Sequence, residues 1–230
     1  QKPVCVTRNF NQKNMKAIVI GGSGATGKEL INQLIMDDSY LEIKSFVRRK
    51  SNLNHPKLKE IIIDFDKIYD YKNEMIGDVA FSCLGTTLKA AGSKKVQWII
   101  DYDYQYHFAQ ISKENHVSTF VLISSFGANK DSKIFYSKMK GKLEAEVLKL
   151  DFNGTIIFQP PSLIRPNSDR NGEIIGMKVI RFFNNFGIFK SFEPLHVTDL
   201  AKAMIKSVKQ LSNGNHILKP TDIKKLLPNS

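Results

Sequence analysis

The sequence predicts a doubly wound, mostly parallel α/β sheet with a small C-terminal insertion on the substrate side. Short apolar, β-branched runs alternate with amphipathic runs of helical length from residue 15 to about residue 160. The short runs are almost wholly apolar, as expected of strands that are covered on both faces. A glycine-rich turn joins the first apolar run to the first helical run. Together these observations favour parallel strands flanked by helices on both sides of one sheet.

The predicted strands occupy residues 16–21, 42–47, 58–64, 78–85, 118–125 and 154–160. We expect all six to be buried, because their apolar residues run on continuously instead of alternating with polar ones. Residues 48–56, between the second and third strands, are too few and too polar for a full crossover helix. A loop or a single turn is therefore predicted there.

The predicted helices carry apolar residues at helical spacing, and the first begins directly after the glycine-rich turn. They occupy residues 26–37, 94–115, 132–150 and 197–210. Thr198 or Asp199 is the predicted N-cap of the last helix, because either side chain can accept a hydrogen bond from the first helical turn.

A single domain is predicted for residues 15–230, because no linker, internal repeat or low-complexity segment interrupts the pattern. Residues 1–14 are polar and lack the apolar core of a signal peptide, so we expect a tag remnant or a loose extension. Residues 160–195 are rich in proline, glycine and aromatic side chains. They are predicted to form a lid over the carboxyl edge of the sheet, where open α/β sheets bind ligands.

The chain carries 34 Lys and Arg residues against 22 Asp and Glu residues, a formal net charge of +12. We interpret this excess as a lysine-rich surface together with a local phosphate site. The sequence has neither a long basic run nor a repeating aromatic arrangement, so no nucleic-acid partner is expected. No apolar run approaches the ~20 residues of a membrane-spanning helix, so no membrane partner is expected.

Cys5 and Cys83 are far apart in the sequence, which predicts free thiols and a cytoplasmic location. The five histidines show no ligand spacing and no cysteine pair is present, so no metal site is expected. A small-molecule substrate is the expected partner. The sequence leaves open whether the protein is a monomer or a homodimer.

The glycine-rich turn contains Gly21, Gly24 and Gly27 at intervals of three residues. An overlapping pattern that ends at Lys28 matches most of a P-loop, but Glu29 stands where a P-loop needs a hydroxyl group to bind Mg²⁺. A Rossmann-type dinucleotide site fits the strand–turn–helix context better. In that interpretation Gly21 permits the tight turn, Gly24 lets amides approach a pyrophosphate, and Gly27 lets helix and strand pack closely.

The second predicted strand ends at Arg48 and Arg49, where NAD-binding proteins usually have an acidic residue. Guanidinium groups bind the 2′-phosphate of NADP through charge-assisted, often bidentate hydrogen bonds. We therefore favour NADP(H) over NAD(H) as the cofactor. A solvated pair of surface arginines is the alternative.

Tyr136 and Lys140 are four residues apart in a predicted helix and so share one face. A tyrosine phenol ordinarily has a pKa of about 10, and a neighbouring ammonium group favours its ionised form. Such a pair can exchange a proton with a substrate oxygen. Ser124 and Ser125 end the fifth predicted strand, where a hydroxyl group can hold a substrate carbonyl. The sequence does not choose between these two serines.

These motifs resemble the short-chain dehydrogenase/reductase superfamily in its atypical NAD(P)-binding branch. The sequence is more closely similar to the Tat-interacting tumour-suppressor oxidoreductase family and its bacterial relatives. The matching stretches lie between residue 15 and about residue 172, and they include GGSGATGKEL, FVRRK, DVAFSCLGTTLKAAGS, FVLISSFGANKDS, FYSKMKGKLEAEV and TIIFQPPSLIRP.

The resemblance implies the role of each site residue. The cofactor contacts that it implies are Ser23, Gly24, Ala25, Thr26, Arg48, Arg49, Leu84, Gly85, Tyr136, Lys140 and Arg170. Tyr136 and Lys140 would be the catalytic pair, with Ser124 or Ser125 as the third member. One departure follows the sixth strand, where Gln159, Pro160 and Pro161 stand in place of the family pattern Arg-Pro-Gly. This departure predicts a differently shaped loop near the nicotinamide.

The predicted function is hydride transfer between NADP(H) and a carbonyl or alcohol substrate, with Tyr136 as the proton donor. The alternative is an NADPH-binding regulatory or scaffold protein with little or no catalysis. A third possibility is an epimerase or isomerase acting on a nucleotide sugar. Such enzymes share the fold and the Tyr-Lys pair but usually have a larger substrate domain.

Overall fold

The computed structural model describes residues 14–164 and 193–227, and a parallel sheet of seven strands lies at its centre. In chain order the strands are β1 (Met15–Ile20), β2 (Tyr40–Val47), β3 (Leu58–Ile62), β4 (Val79–Ser82), β5 (Thr119–Ile123), β6 (Gly154–Phe158), β7 (Leu163–Ile164), β8 (Leu195–His196) and β9 (Gly214–Leu218). The main sheet has the order β3-β2-β1-β4-β5-β6-β9, and β7 and β8 form a separate parallel pair. The predicted fold class is confirmed.

Helices cover both faces of the sheet. Numbered along the described residues, they are α1 (Ala25–Met36), α2 (Leu88–Ala91), α3 (Lys94–Trp98), α4 (Tyr104–Glu114), α5 (Phe135–Lys149), α6 (Val197–Gln210) and α7 (Pro220–Lys225). Two 3₁₀ helices that meet at a kink at Lys67 span Phe65–Glu74, and a π-helical turn at Ile99–Asp103 joins α3 to α4.

The buried side chains of β1 alternate between two apolar layers. Ala17 and Val19 belong to the layer that includes side chains of α1 and α6. Ile18 and Ile20 belong to the opposite layer, which includes side chains of α4 and α5. This alternation explains the continuous apolar run in the sequence, because both faces of the strand are removed from water.

The six predicted strands are all present, but most of them end earlier than predicted. Residues such as Gly85, Ser124 and Gln159 therefore lie just past the strand ends, at the carboxyl edge of the sheet. The expectation that all six strands are buried is wrong for β3, which is only partly buried because it is an edge strand. The predicted loop between β2 and β3 is confirmed.

Two helix predictions need correction. The segment 94–114 is helical throughout, as predicted, but Ile99–Asp103 within it form a π-helical turn that the sequence did not predict. The predicted cap of α6 is wrong, since α6 begins after His196 and no side chain caps it. The Thr198 hydroxyl instead donates to Glu29 of α1 at 3.2 Å. It therefore makes a contact between two helices and does not cap its own helix.

The edge strand β9 and the short helix α7 were not predicted. Asn215 and His216 make the centre of β9 polar, and most of the strand is exposed. Its pairing with β6 places it in the sheet, and the sequence around it carries no clear alternation of apolar and polar residues.

Chain order reverses at β1, because β2 lies on one side of this strand and β4 lies on the other. In open α/β sheets the crevice outside the carboxyl ends of the strands at such a switch point is the usual ligand site. The described residues contain no helix that is both long and apolar enough to cross a membrane. Residues 1–13, Arg170 and most of the predicted lid at 160–195 lie outside the described residues.

We predict that Gly27→Ala destabilises the fold far more than Gly24→Ala. A Cβ atom on Gly27 would lie 2.2 Å from the carbonyl oxygen of Gly21, and the backbone there cannot give way without moving the turn. The free energy of unfolding should fall by about 2–3 kcal/mol, as for other overpacked sites. Chemical denaturation of the two variants measures the difference.

Gly24→Ala is the matched control for this comparison. The nearest atom to a Cβ on Gly24 is the Gly21 oxygen at 3.3 Å, so we expect a loss below about 1 kcal/mol. Equal losses in the two variants would show that close packing at Gly27 does not limit stability.

Candidate functional site

A cleft opens at the carboxyl edge of the sheet, beside the point where chain order reverses. Its walls come from the start of α1, from the segment after β4, and from the region between β5 and α5. The lining residues are Gly24, Ala25, Thr26, Cys83, Leu84, Gly85, Thr86, Thr87, Ile123, Ser124, Tyr136, Lys140 and Leu163. The fold thus brings together eight of the residues that the sequence singled out, although they are far apart along the chain.

The β1–α1 turn presents the positive end of a helix to this cleft. Gly21 has a φ of +77°, and its carbonyl oxygen accepts a hydrogen bond of 2.9 Å from the Gly24 amide. The helix begins after Gly24 with no capping side chain and with no acidic residue in its first turn. The first amides of a helix lack intrahelical acceptors, so this end favours an anion.

The turn also packs directly against the segment that follows β4. A Cβ atom on Gly21 would lie 2.4 Å from the carbonyl carbon of Cys83, so only glycine fits there. The Cys83 side chain is half-buried, and burial raises the pKa of its thiol to about 12. The thiol therefore stays protonated near neutral pH, as expected of a cysteine that packs in the fold and does not react.

Arg48 and Arg49 are exposed and directly follow β2, beside the glycine turn, but they do not line the cleft. Near Arg48, the hydroxyl of Tyr104 donates to Asp66 at 2.5 Å. Burial, together with this bond, raises the pKa of Tyr104 to about 12. The two arginines thus lie past the carboxyl end of β2 and outside the cleft, and their contact with an adenosine phosphate stays a prediction.

A second, smaller recess lies between α1 and the loop that joins β2 to β3. Ser23 lines this recess and not the main cleft, together with Lys28 and Ser51. Its remaining lining residues are Gly22, Ile31, Asn32, Leu53, Leu58 and Glu60. The recess therefore brings Ser23 and Lys28 together outside the cleft that Tyr136 lines.

Tyr136 and Lys140 both line the main cleft from the first turns of α5. Tyr136 is 38% exposed, whereas Lys140 is only 2% exposed. The ammonium group of Lys140 donates to the Ile123 carbonyl at 3.5 Å and lies in the electrostatic field of Asp101 and Glu144. Two buried carboxyl groups therefore balance a buried cation at the base of the cleft.

The two candidate serines have different positions. Ser124 is buried, lines the cleft, and donates its hydroxyl hydrogen to Oε1 of Glu144. Ser125 donates to the backbone carbonyl of Phe126 at 3.1 Å and does not line the cleft. Tertiary structure therefore favours Ser124 as the serine that can face a ligand.

Glu144 is a buried member of the site that sequence reasoning missed. The Nε2 atom of Gln159 lies 3.0 Å from each of its carboxyl oxygens. Burial raises the pKa of Glu144, while hydrogen bonds from Ser124 and Gln159 and the charge of Lys140 partly oppose this shift. The sequence could have indicated Glu144 as a neighbour of the Tyr-Lys pair, because Tyr136, Lys140 and Glu144 are spaced by four residues on one helical face.

Asp101, on the π-helical turn, is a second buried acid that the sequence analysis did not single out. It is fully buried and accepts a hydrogen bond of 2.8 Å from the Thr86 amide and one of 3.4 Å from Gln97. Burial raises the pKa of Asp101, and the charge of Lys140 partly opposes this shift. Asp101 therefore ties the segment after β4 to the base of the cleft.

Comparison with known proteins identifies the family. A family model described as NAD(P)H-binding matches residues 21–151, more than half of the chain. Protein HTATIP2 of Rattus norvegicus is 29% identical over 212 residues, which cover 90% of this chain and 86% of the relative. Protein FMP52, mitochondrial, of Saccharomyces cerevisiae is 33% identical over 165 residues, which cover 69% of this chain and 71% of the relative. The cytoplasmic location stays a prediction.

Solved structures agree on the fold. The Bordetella bronchiseptica enzyme WbmH, in complex with NAD⁺, superposes with a TM-score of 0.69 at 13% identity, over 89% of this chain and 75% of that chain. The UDP-glucose 4-epimerase of Thermotoga maritima, with UDP-glucose, gives a TM-score of 0.66 at 15% identity, over 92% of this chain and 81% of that chain. The chain therefore belongs to the NAD(P)H-binding family, in the atypical branch of the short-chain dehydrogenases and reductases.

Proposed function

We propose that this protein is an NADP(H)-dependent oxidoreductase that acts on a carbonyl or alcohol substrate. The observation that carries this proposal is that Tyr136, Lys140 and Ser124 line the same cleft as the uncapped amino end of α1. The wall between β5 and α5 has groups that can donate or accept a proton, and the wall at the start of α1 favours a diphosphate.

The residues present fit a dinucleotide. The amides at the start of α1 would hold the pyrophosphate, and the segment after β4 leaves open space beside it, because a Cβ atom on Gly85 would meet no atom within 4 Å. Leu84 and Gly85 would line the cofactor along the second wall. When bound, a nicotinamide supplies or accepts the hydride.

The preference for NADP(H) rests on the cations beside the glycine turn. Arg48 and Arg49 follow β2, and Lys28 lies with Ser23 in the neighbouring recess. Among the described residues, none of these three cations has a carboxylate within ion-pair distance. They are available to an extra phosphate on the adenosine ribose.

In the reductive direction, Tyr136 would give its phenolic proton to the substrate oxygen as the hydride arrives at the carbonyl carbon. Lys140 would stabilise the phenolate that remains, because an ammonium group favours the ionised form of a neighbouring phenol. Ser124 would hold the substrate oxygen. The partly exposed position of Tyr136 lets a substrate reach its hydroxyl, while the burial of Lys140 keeps the cation in place.

A regulatory protein that binds NADPH without turnover is the second candidate. One observation favours it, since the hydroxyl hydrogen of Ser124 is already donated to Glu144. Tight NADPH binding without turnover on a broad panel of aldehydes and ketones would support this candidate. Isomerised product without net NADPH consumption would point instead to nucleotide-sugar chemistry. The structural similarity to the Thermotoga maritima epimerase with UDP-glucose is the reason to test for this reaction.

We predict that the double variant Arg48→Ala/Arg49→Ala loses NADPH affinity by about 10- to 100-fold, because two charge-assisted hydrogen bonds to the 2′-phosphate are lost. NADH affinity should change less than about threefold, since NADH lacks this phosphate. Isothermal calorimetry with both cofactors measures the effect. Lys202→Ala, which removes one exposed positive charge on α6, is the control for the loss of a surface charge elsewhere on the protein. A wild-type protein that prefers NADH would contradict the proposal directly.

We predict that Tyr136→Phe lowers kcat by about 100- to 1,000-fold while NADPH affinity stays within about twofold, because only the proton donor is removed. Initial rates of NADPH oxidation over the carbonyl panel measure this effect. Tyr69→Phe is the control, since Tyr69 lies far from the cleft and donates to Gln110. Unchanged turnover in Tyr136→Phe would remove Tyr136 from the role of acid.

A further inference from the structure

A buried hydrogen bond joins Ser124, which lines the cleft, to Glu144 on α5. Ser124 donates to Oε1 of Glu144, and a serine hydroxyl has a single proton to give. A carboxylate only accepts, so Ser124 presents lone pairs to the cleft while Glu144 is ionised. A substrate hydroxyl can donate to those lone pairs. A substrate carbonyl cannot, because it is itself an acceptor.

The groups around Glu144 hold it in place without a direct ion pair. Gln159, just after β6, donates to both carboxyl oxygens, and Ser124 approaches from the end of β5. Lys140 lies one helical turn away on α5, and its charge acts on both Glu144 and Asp101. Within residues 14–164 and 193–227, no cation comes within 4.0 Å of the Glu144 carboxyl oxygens.

This environment makes a neutral Glu144 accessible. Burial is the largest influence and raises the pKa of Glu144, while a neutral amide and a hydroxyl group supply the nearest compensation. A protonated Glu144 has its own O–H group, which can donate to the Ser124 oxygen. The proton of Ser124 can then turn toward the cleft and donate to a substrate carbonyl.

We propose that Glu144 is a positioning residue that selects the oxidation state of the substrate by setting the direction of the Ser124 hydrogen bond. An ionised Glu144 makes Ser124 an acceptor for a substrate alcohol, and a neutral Glu144 makes it a donor to a substrate carbonyl. The proton on Glu144 is exchanged with solvent and never passes to the substrate. This inference rests on the proposed oxidoreductase function.

The first test measures KM for a carbonyl substrate and for its alcohol product across pH. In the wild-type protein the carbonyl KM should rise, and the alcohol KM should fall, as pH rises through the pKa of Glu144. Glu144→Gln fixes the neutral arrangement, because the new amide nitrogen donates to Ser124 while its oxygen accepts from Gln159. At alkaline pH we expect a carbonyl KM about tenfold lower and an alcohol KM about tenfold higher than wild type.

Glu146→Gln is the matched control, because Glu146 lies on the same helix but pairs with Lys149 at 2.7 Å on the surface. Its KM profiles should follow the wild type. Gln159→Met removes the donating amide at similar size, so the pH at which the wild-type KM values change should move upward. A Glu144→Gln variant with an unchanged ratio of the two KM values, whatever its kcat or stability, would overturn the inference.

A second test needs no turnover. The carboxyl resonance of Glu144, assigned by its loss in Glu144→Gln, is titrated by ¹³C NMR in cofactor-free protein. Ser124→Ala should raise the pKa of Glu144, because a donor to the carboxylate is lost. An unmoved titration curve would overturn the role of Glu144. A moved curve with NADPH binding but no turnover would overturn the oxidoreductase function alone, so the two failures are distinguishable.

Discussion

The close contact between the glycine turn and its surroundings holds the site together. Gly27 brings the first turn of α1 against the carbonyl of Gly21, and Gly21 in turn lies against the backbone that follows β4. Three segments of backbone meet here with no side chain between them. Because β1 and β4 are neighbours at the switch point, this contact sets how near the amino end of α1 comes to the second wall of the cleft.

The charges buried at the base of the cleft must be compensated, which is a second constraint on the structure of the site. A buried ammonium group is costly unless opposite charge lies near it, and Lys140 has Asp101 and Glu144 in its field. Each carboxyl group also accepts hydrogen bonds from separate segments, Thr86 after β4 for Asp101 and Gln159 after β6 for Glu144. The charged groups therefore connect the strand ends that form the cleft, in addition to any chemical role.

Family membership and site geometry carry different kinds of information. The match over residues 21–151 identifies an NAD(P)H-binding protein, and the solved structures agree on the fold. Neither selects a substrate or distinguishes NADP(H) from NAD(H). The proposed preference for NADP(H) rests on the basic residues beside the turn, and the proposed chemistry rests on Tyr136, Lys140 and Ser124. The extent of the domain and the oligomeric state stay predictions.

Local sequence determined the fold class, the glycine turn and the shared face of Tyr136 and Lys140, because each depends on residues close together along the chain. It could not separate Ser124 from Ser125, place Thr198 or find Asp101, and although it puts Glu144 on the face of Tyr136 and Lys140, it could not show that Glu144 is buried and bonded to Ser124. Those outcomes depend on contacts between segments far apart in sequence, and on where the strands end. Only tertiary structure decides which hydroxyl meets a carboxylate, since burial and hydrogen-bond partners come from elements that the local pattern does not join.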